Sequence, residues 1–208
     1  MNGLVLRTRA APSPSALETP RLHLDIGSRY RSQLSEPAQQ RLKKVIGMTS
    51  EEILVGAALK GWNAALERAD KLFSNLSREE LLKEVAPGRN RLIYLWGHLA
   101  ATHDRMRSIM GLGERIHPEF DVIFLSTPDK QSLLPSVDEI KRWWDELNAA
   151  LSKDLQTLSV ADWLGKHTAV SEEDFAKDPL RNRYAILLSR TQHLSYHLGQ
   201  TALSVDRR

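Results

Sequence analysis

The residues in this chain best suited to chemistry are histidines. Two of them, His193 and His197, stand four apart in the run HLSYHLGQ, residues 193–200. On a helix, positions i and i+4 leave the same face one turn apart. That separation suits two imidazole nitrogens each about 2.0–2.1 Å from one metal ion. With seven histidines in 208 residues such a pair also arises by chance, and its plain reading is two surface or capping histidines. A third ligand must come from elsewhere. The stretch WGHLAATHD offers His98 and His103, which point about 140° apart on a helix, so one face cannot present both. The apolar stripe of Leu92, Leu95, Leu99, Met106 and Met110 is centred about 40° from His103 and about 100° from His98. Periodicity therefore leans towards His103 as the inward residue and leaves the choice of ligand open. His23, His117 and His167 lie in an N-terminal leader, before a loop proline and in a polar loop, where solvation or local hydrogen bonding is expected.

Cysteine is absent. That excludes a disulfide framework, a thiol nucleophile and thiolate ligands, and it suits a reducing cytoplasm. A metal site here must use histidine and carboxylate. Three neutral imidazoles leave a tetrahedral ion one position short. Such an ion lowers the pKa of a coordinated water towards 7 and deprotonates a coordinated thiol, which would have to come from a small molecule. No residue stands out as a catalytic acid, base or nucleophile. Arg105 and Thr102 lie about 20° and 40° from His98 on the wheel and are candidates to touch substrate. The plain reading of Arg105 is a solvated helix side chain. Ser189 and Gln200 flank the His193/His197 midline, whereas Asp104 and Glu146 have only their charge to recommend them.

The elements that must position these side chains are helices. From about Thr49 to Leu76, apolar residues including Val55, Leu59, Trp62, Leu66, Leu72 and Phe73 recur at steps of three and four. Ser77 to Glu80 reads as a capping box opening a short extra helix before Pro87-Gly88. A second long helix is expected from about Asn90 to Met110, stopped at Gly111. A third opens at the box Ser136 to Glu139 and carries Ile140, Trp143, Trp144, Leu147 and Leu151 inward. For the fourth, Asp178-Pro179 reads as cap and first residue, with the helix running to about Val205. Phe120 to Leu125 is too short and partnerless for a strand and reads as loop. The fold class expected is all-α, a four-helix bundle with long connections. The long connection at 111–135 could wall a pocket or serve as a crossover. Trp62, Trp143 and Trp144 fall on core stripes, and Trp96 points away from His98 into core or interface.

Residues 1–47 read differently. They hold eight basic and three acidic residues and Pro12, Pro14, Pro20 and Pro37, with no apolar stripe. Their net charge is +5, leaving 21 basic and 23 acidic residues, or −2, for the remainder. We expect 1–47 to be a flexible basic leader, with Met48 an alternative start, and 48–208 to be the metal-binding bundle. The high pI belongs to the leader, so no nucleic-acid surface is expected in the body. No apolar run reaches transmembrane length, and no signal-peptide core precedes residue 48, so no membrane association is expected.

The stretch RLIYLWGHLAATHDRM, followed about 95 residues later by LLSRTQHLSYHLGQTAL, resembles the DinB/YfiT-like superfamily of metalloenzymes over roughly residues 49–205. The family pattern is one histidine in an apolar-His-Leu context on the second helix, then His-x-x-x-His on the fourth. The resemblance implies His98, His193 and His197 as ligands of one divalent metal ion, zinc or nickel, with no required role for His103. It also implies up-up-down-down order of the four helices, a homodimer and, in some members, transfer of low-molecular-weight thiols. The function expected is a metal-dependent transferase or hydrolase of small molecules, with a low-molecular-weight thiol among its partners. The competing reading is a non-catalytic helical bundle that binds a small ligand or protein partner. A damage-induced regulator finds no support in the residues themselves.

Overall fold

The computed structural model describes residues 35–38, 40 and 47–205. Most of the leader, with His23, lies outside these residues. The chain divides into units 1–53 and 54–208. In the first, a short helical stretch covers 36–38, and Thr49 caps the helix that follows by exchanging hydrogen bonds with Glu52. The second unit holds the core and the six described histidines.

The described residues are all-α and contain no strand; there are isolated bridges at Glu84–Arg91 and Lys166–Asn182. Four long helices supply one hydrophobic core: α1 (Ser50–Ser74), α3 (Leu92–Met110), α4 (Val137–Leu155) and α7 (Arg183–Ser204). Short helices α2 (Arg78–Leu81), α5 (Val160–Leu164) and α6 (Glu172–Lys177) lie in the connections. Local sequence explains the starts. Ser77 with Glu80, Ser136 with Glu139 and Ser159 with Asp162 form reciprocal capping boxes that satisfy first-turn N–H groups. Gly111 ends α3 with φ 70°, a left-handed conformation that glycine adopts without steric cost. None of these helices is long and apolar enough to cross a membrane.

Three features differ from the sequence expectation. The order is not up-up-down-down. Trp62 meets His103 and Phe73 stacks on Trp96, so α1 and α3 run antiparallel. His103 meets Asn148 and Arg107 meets Asp154, so α3 and α4 run parallel. Arg183 bonds Met110 while His98 meets His193, so α7 runs antiparallel to α3. The 111–136 connection is long enough to carry the chain back along α3, about 28 Å, before α4 begins.

The fourth helix starts at Arg183, not at Asp178-Pro179. The Asp178 carboxylate accepts from Leu180 two residues on, an Asx turn, and Asn182 then caps the helix by accepting from the Ala185 N–H. Finally, part of Phe120–Leu125 is not loop: Val122–Ser126 forms a π-helical turn that buries Phe124.

Candidate metal centre

The register of α3 against α7 is set at their joined ends. The last carbonyls of α3 are taken by α7 and the segment before it: Arg183 Nε donates to Met110 O at 2.6 Å, and Thr168 N to Ile109 O at 2.8 Å. His98 lies twelve residues before Met110, and His193 and His197 lie ten and fourteen after Arg183. At about 1.5 Å per residue, His98 stands about 18 Å from the joint and His193 and His197 about 15 and 21 Å, so His98 is level with the midpoint of the pair. His98 Nε2 is 3.2 Å from His193 Nε2, and His197 Nε2 is 3.1 Å from the same atom. The ligand nitrogens of the three all lie within 4.8 Å of one another.

The hydrogen bonds on the far side of two rings decide what those nitrogens are. His98 Nδ1 is 2.9 Å from Phe124 O, a carbonyl that only accepts, so Nδ1 carries the proton. His197 Nδ1 is 2.8 Å from Gln200 Oε1, whose amide nitrogen donates to Tyr196 Oη at 3.0 Å. It too carries its proton on Nδ1. Both Nε2 atoms then hold lone pairs aimed at His193 Nε2. One proton on His193 could satisfy only one of them. A cation among the three nitrogens satisfies all, and tetrahedral bonds of about 2.0–2.1 Å would put them roughly 3.3 Å apart. The donor set fits a divalent ion.

The electrostatics agree. Burial, first, lowers the pKa of His98 and His197, partly opposed by the hydrogen bonds these rings donate to Phe124 O and Gln200 Oε1. Burial, His197, His98 and Arg190 together push His193 down to about 4. The three rings are neutral at pH 7, the form that ligates.

The partners of His98 come from the long connection. Asp129, at the end of this segment, accepts from Arg91 N at 2.7 Å and pairs with its guanidinium, supplying the cap that α3 lacks. Tyr94 Oη donates to Thr127 O at 2.7 Å. At the other end, the buried Asp104 carboxylate takes Arg115 Nε and the N–H groups of Ile116 and His117. Between these anchors the π-helical turn lays the Phe124 ring against Gly97. A Cβ at Gly97 would lie 2.2 Å from that ring, so only glycine lets the turn, and its carbonyl, come this close to His98. A cavity of about 710 Å³ borders the cluster on the His197 side, lined by Val85, Ala86, Arg89, Leu95, Tyr196 and Gln200 among others.

The other sequence candidates separate. His103 is fully buried between Trp62 and Trp144, away from the cluster. Asn148 Oδ1 accepts its Nδ1 proton at 2.9 Å, and burial holds its pKa at about 3. The wheel was right about which histidine faces inward; the family motif picks the one that meets His193 and His197. Thr102 is buried and spends its hydroxyl on Leu99 O. Arg105 is half exposed and pairs with Asp121 at 3.3 Å. Ser189 is exposed. His117 binds Glu119 locally at 3.1 Å. Trp96 is core, stacked on Phe73.

Sequence reasoning missed Gly97, the Phe124 carbonyl, Asp104 as anchor, and Arg190. For Arg190 the signal was present: it precedes His193 by three residues and His197 by seven, on the same helix face.

A family model described as the DinB superfamily matches residues 62–201, a span that contains all three clustered histidines. No curated protein matches the chain.

Proposed function

The chain belongs to the DinB superfamily, and from that premise we propose that it binds one divalent ion, zinc or nickel, through His98, His193 and His197, and uses it as a transferase or hydrolase of small molecules. The observation that carries this reading is the convergence of three Nε2 atoms, two of them fixed as lone pairs by Phe124 O and Gln200 Oε1. When bound, a divalent ion with three imidazole ligands supplies Lewis acidity and acidifies a coordinated water or thiol. The chain's own residues do the rest. The Phe124 carbonyl and Gln200 amide hold two rings in the ligating tautomer and orientation. The cavity beside His197 gives a small molecule room to approach, and the buried Leu95 and half-buried Val85 make part of its wall apolar. With no cysteine in the chain, a reacting thiol is a small-molecule partner.

We also propose that the protein is a cytoplasmic homodimer with a dispensable leader at 1–47. Sedimentation at micromolar concentration that finds only a 23.6 kDa species would contradict the dimer. The test of thiol chemistry is cobalt substitution followed by titration with several low-molecular-weight thiols. A thiolate-to-cobalt charge-transfer band is expected. Cobalt binding without any thiol response would remove the thiol-dependent transferase and leave hydrolysis.

A further inference from the structure

Five arginines are half-buried among the described residues: Arg91, Arg107, Arg115, Arg183 and Arg190. Four have partners. Arg91 pairs with Asp129, Arg107 with Asp154, and Arg115 with Asp104 and Asp121. Arg183 caps the carbonyls of Met110 and Asp162. Among the described residues, Arg190 has neither an ion pair nor a hydrogen bond, and its buried Nε has no acceptor. A buried guanidinium N–H left without an acceptor is costly, so structures seldom keep one without a use.

Its surroundings deepen the contrast. The charge that acts on Arg190 is another cation, Arg105, which is itself held by Asp121. Arg190 in turn disfavours protonation of His98, His193 and His103, which places its positive field on the histidine cluster. On α7 it stands one turn before His193, and side chains at i and i+3 are neighbours on a helix surface. His193 adds a second lone donor. Its Nδ1 is buried without a partner, whereas the Nδ1 atoms of His98 and His197 both have acceptors. With Nε2 given to the ion that the three histidines would share, Nδ1 would carry the proton of the neutral ring.

We propose that Arg190 and the Nδ1–H of His193 form an oxyanion subsite beside the three-histidine cluster, so that the molecule the protein acts on carries a carboxylate or phosphate group. This rests on the metal-site reading above and names the class of ligand that site takes. Arginine suits the task because its planar fork meets two oxygens of a carboxylate or phosphate at once. The subsite fixes one end of the substrate, and the cluster acts on the other.

The probe is inorganic phosphate, titrated calorimetrically at constant ionic strength into metal-free and zinc-loaded protein, with zinc stoichiometry measured in parallel. Wild type should bind phosphate. Arg190→Gln should weaken it at least 10-fold at unchanged zinc stoichiometry and helical signal. Arg190→Lys, which keeps the charge and loses the fork, should fall between the two, and it decides the matter if the Gln variant does not fold. Arg142→Gln, an exposed change on α4, should leave phosphate binding within about twofold. Equal phosphate affinity in wild type and Arg190→Gln, or no phosphate binding to wild type, overturns the proposal even if zinc binds. Phosphate binding that Arg190→Gln abolishes in a protein that takes up no zinc sinks the metal reading and leaves the subsite standing.

Discussion

Replacing Gly97 by alanine tests how the site is built without touching a ligand. The new methyl would start 2.2 Å from the Phe124 ring. Carbon atoms rest at about 3.5–4.0 Å, so the π-helical turn must retreat by at least about 1.3 Å. The bond from His98 Nδ1 to Phe124 O starts at 2.9 Å. Adding that displacement takes it to about 4 Å, beyond hydrogen-bond range. His98 then loses the acceptor that fixes its tautomer, which typically costs 10–100-fold in metal affinity, or about 1.4–2.8 kcal/mol. Stability should change less. Overpacking costs about 1–3 kcal/mol, and alanine in a helix interior returns about 1 kcal/mol relative to glycine. The assay is zinc competition against a chromophoric chelator, with urea unfolding of the metal-free protein alongside. Removing the ring in the Gly97→Ala/Phe124→Ala double variant frees the space while keeping the backbone carbonyl. Its affinity should return to within about threefold of Phe124→Ala alone. A Gly97→Ala protein that binds zinc as tightly as wild type would refute the link from glycine through Phe124 to His98.

Further predictions follow from the buried charges and histidines. His103 is fully buried with its pKa held at about 3, against about 6.5 when unfolded, so its contribution is complete above pH 6.5 and is lost as pH falls towards 3. Between pH 7 and 5 it should cost about 2 kcal/mol of unfolding free energy in metal-free protein. Urea midpoints of His103→Leu should show a pH loss smaller by about that amount, and an unchanged pH slope would count against the buried neutral ring. Asp104→Ala should destabilise by about 2–4 kcal/mol in the same assay, because the N–H groups of Ile116 and His117 and one contact of Arg115 lose their acceptor. A change under 0.5 kcal/mol would mean the 111–117 turn does not need that anchor.

Much of the fold was legible because helices announce themselves locally. The stripes of α1, α3 and α4 and the boxes at Ser77 and Ser136 depend on residues within a few positions of one another. The order of the helices is not legible in the residues, because it depends on how far a connection travels and the 111–136 segment carries no periodic signal of its length in space; the up-up-down-down order rested on the resemblance alone. The α7 start was misread for a similar reason. Asp-Pro opens a helix or closes an Asx turn by the same local chemistry, and the pairing of Lys166 with Asn182 favours the turn. In the site, the i,i+4 pair of His193 and His197 was readable from spacing alone. The choice of His98 over His103 was not, since periodicity reports burial and both are at least partly buried. Only the family motif pointed to His98. Gly97 and Phe124 could not be paired from sequence, because their contact joins a helix to a loop 27 residues away.

The central claim is that three particular histidines hold one ion. The most direct measurement is elemental analysis of protein purified without a His tag, for wild type and four single variants. Wild type should carry close to one zinc or nickel per chain. His98→Ala, His193→Ala and His197→Ala each remove one of three ligands and should emerge largely metal-free. His103→Ala should keep its metal, whatever stability it loses. Metal retained in the first three variants, or lost only in His103→Ala, would contradict the account.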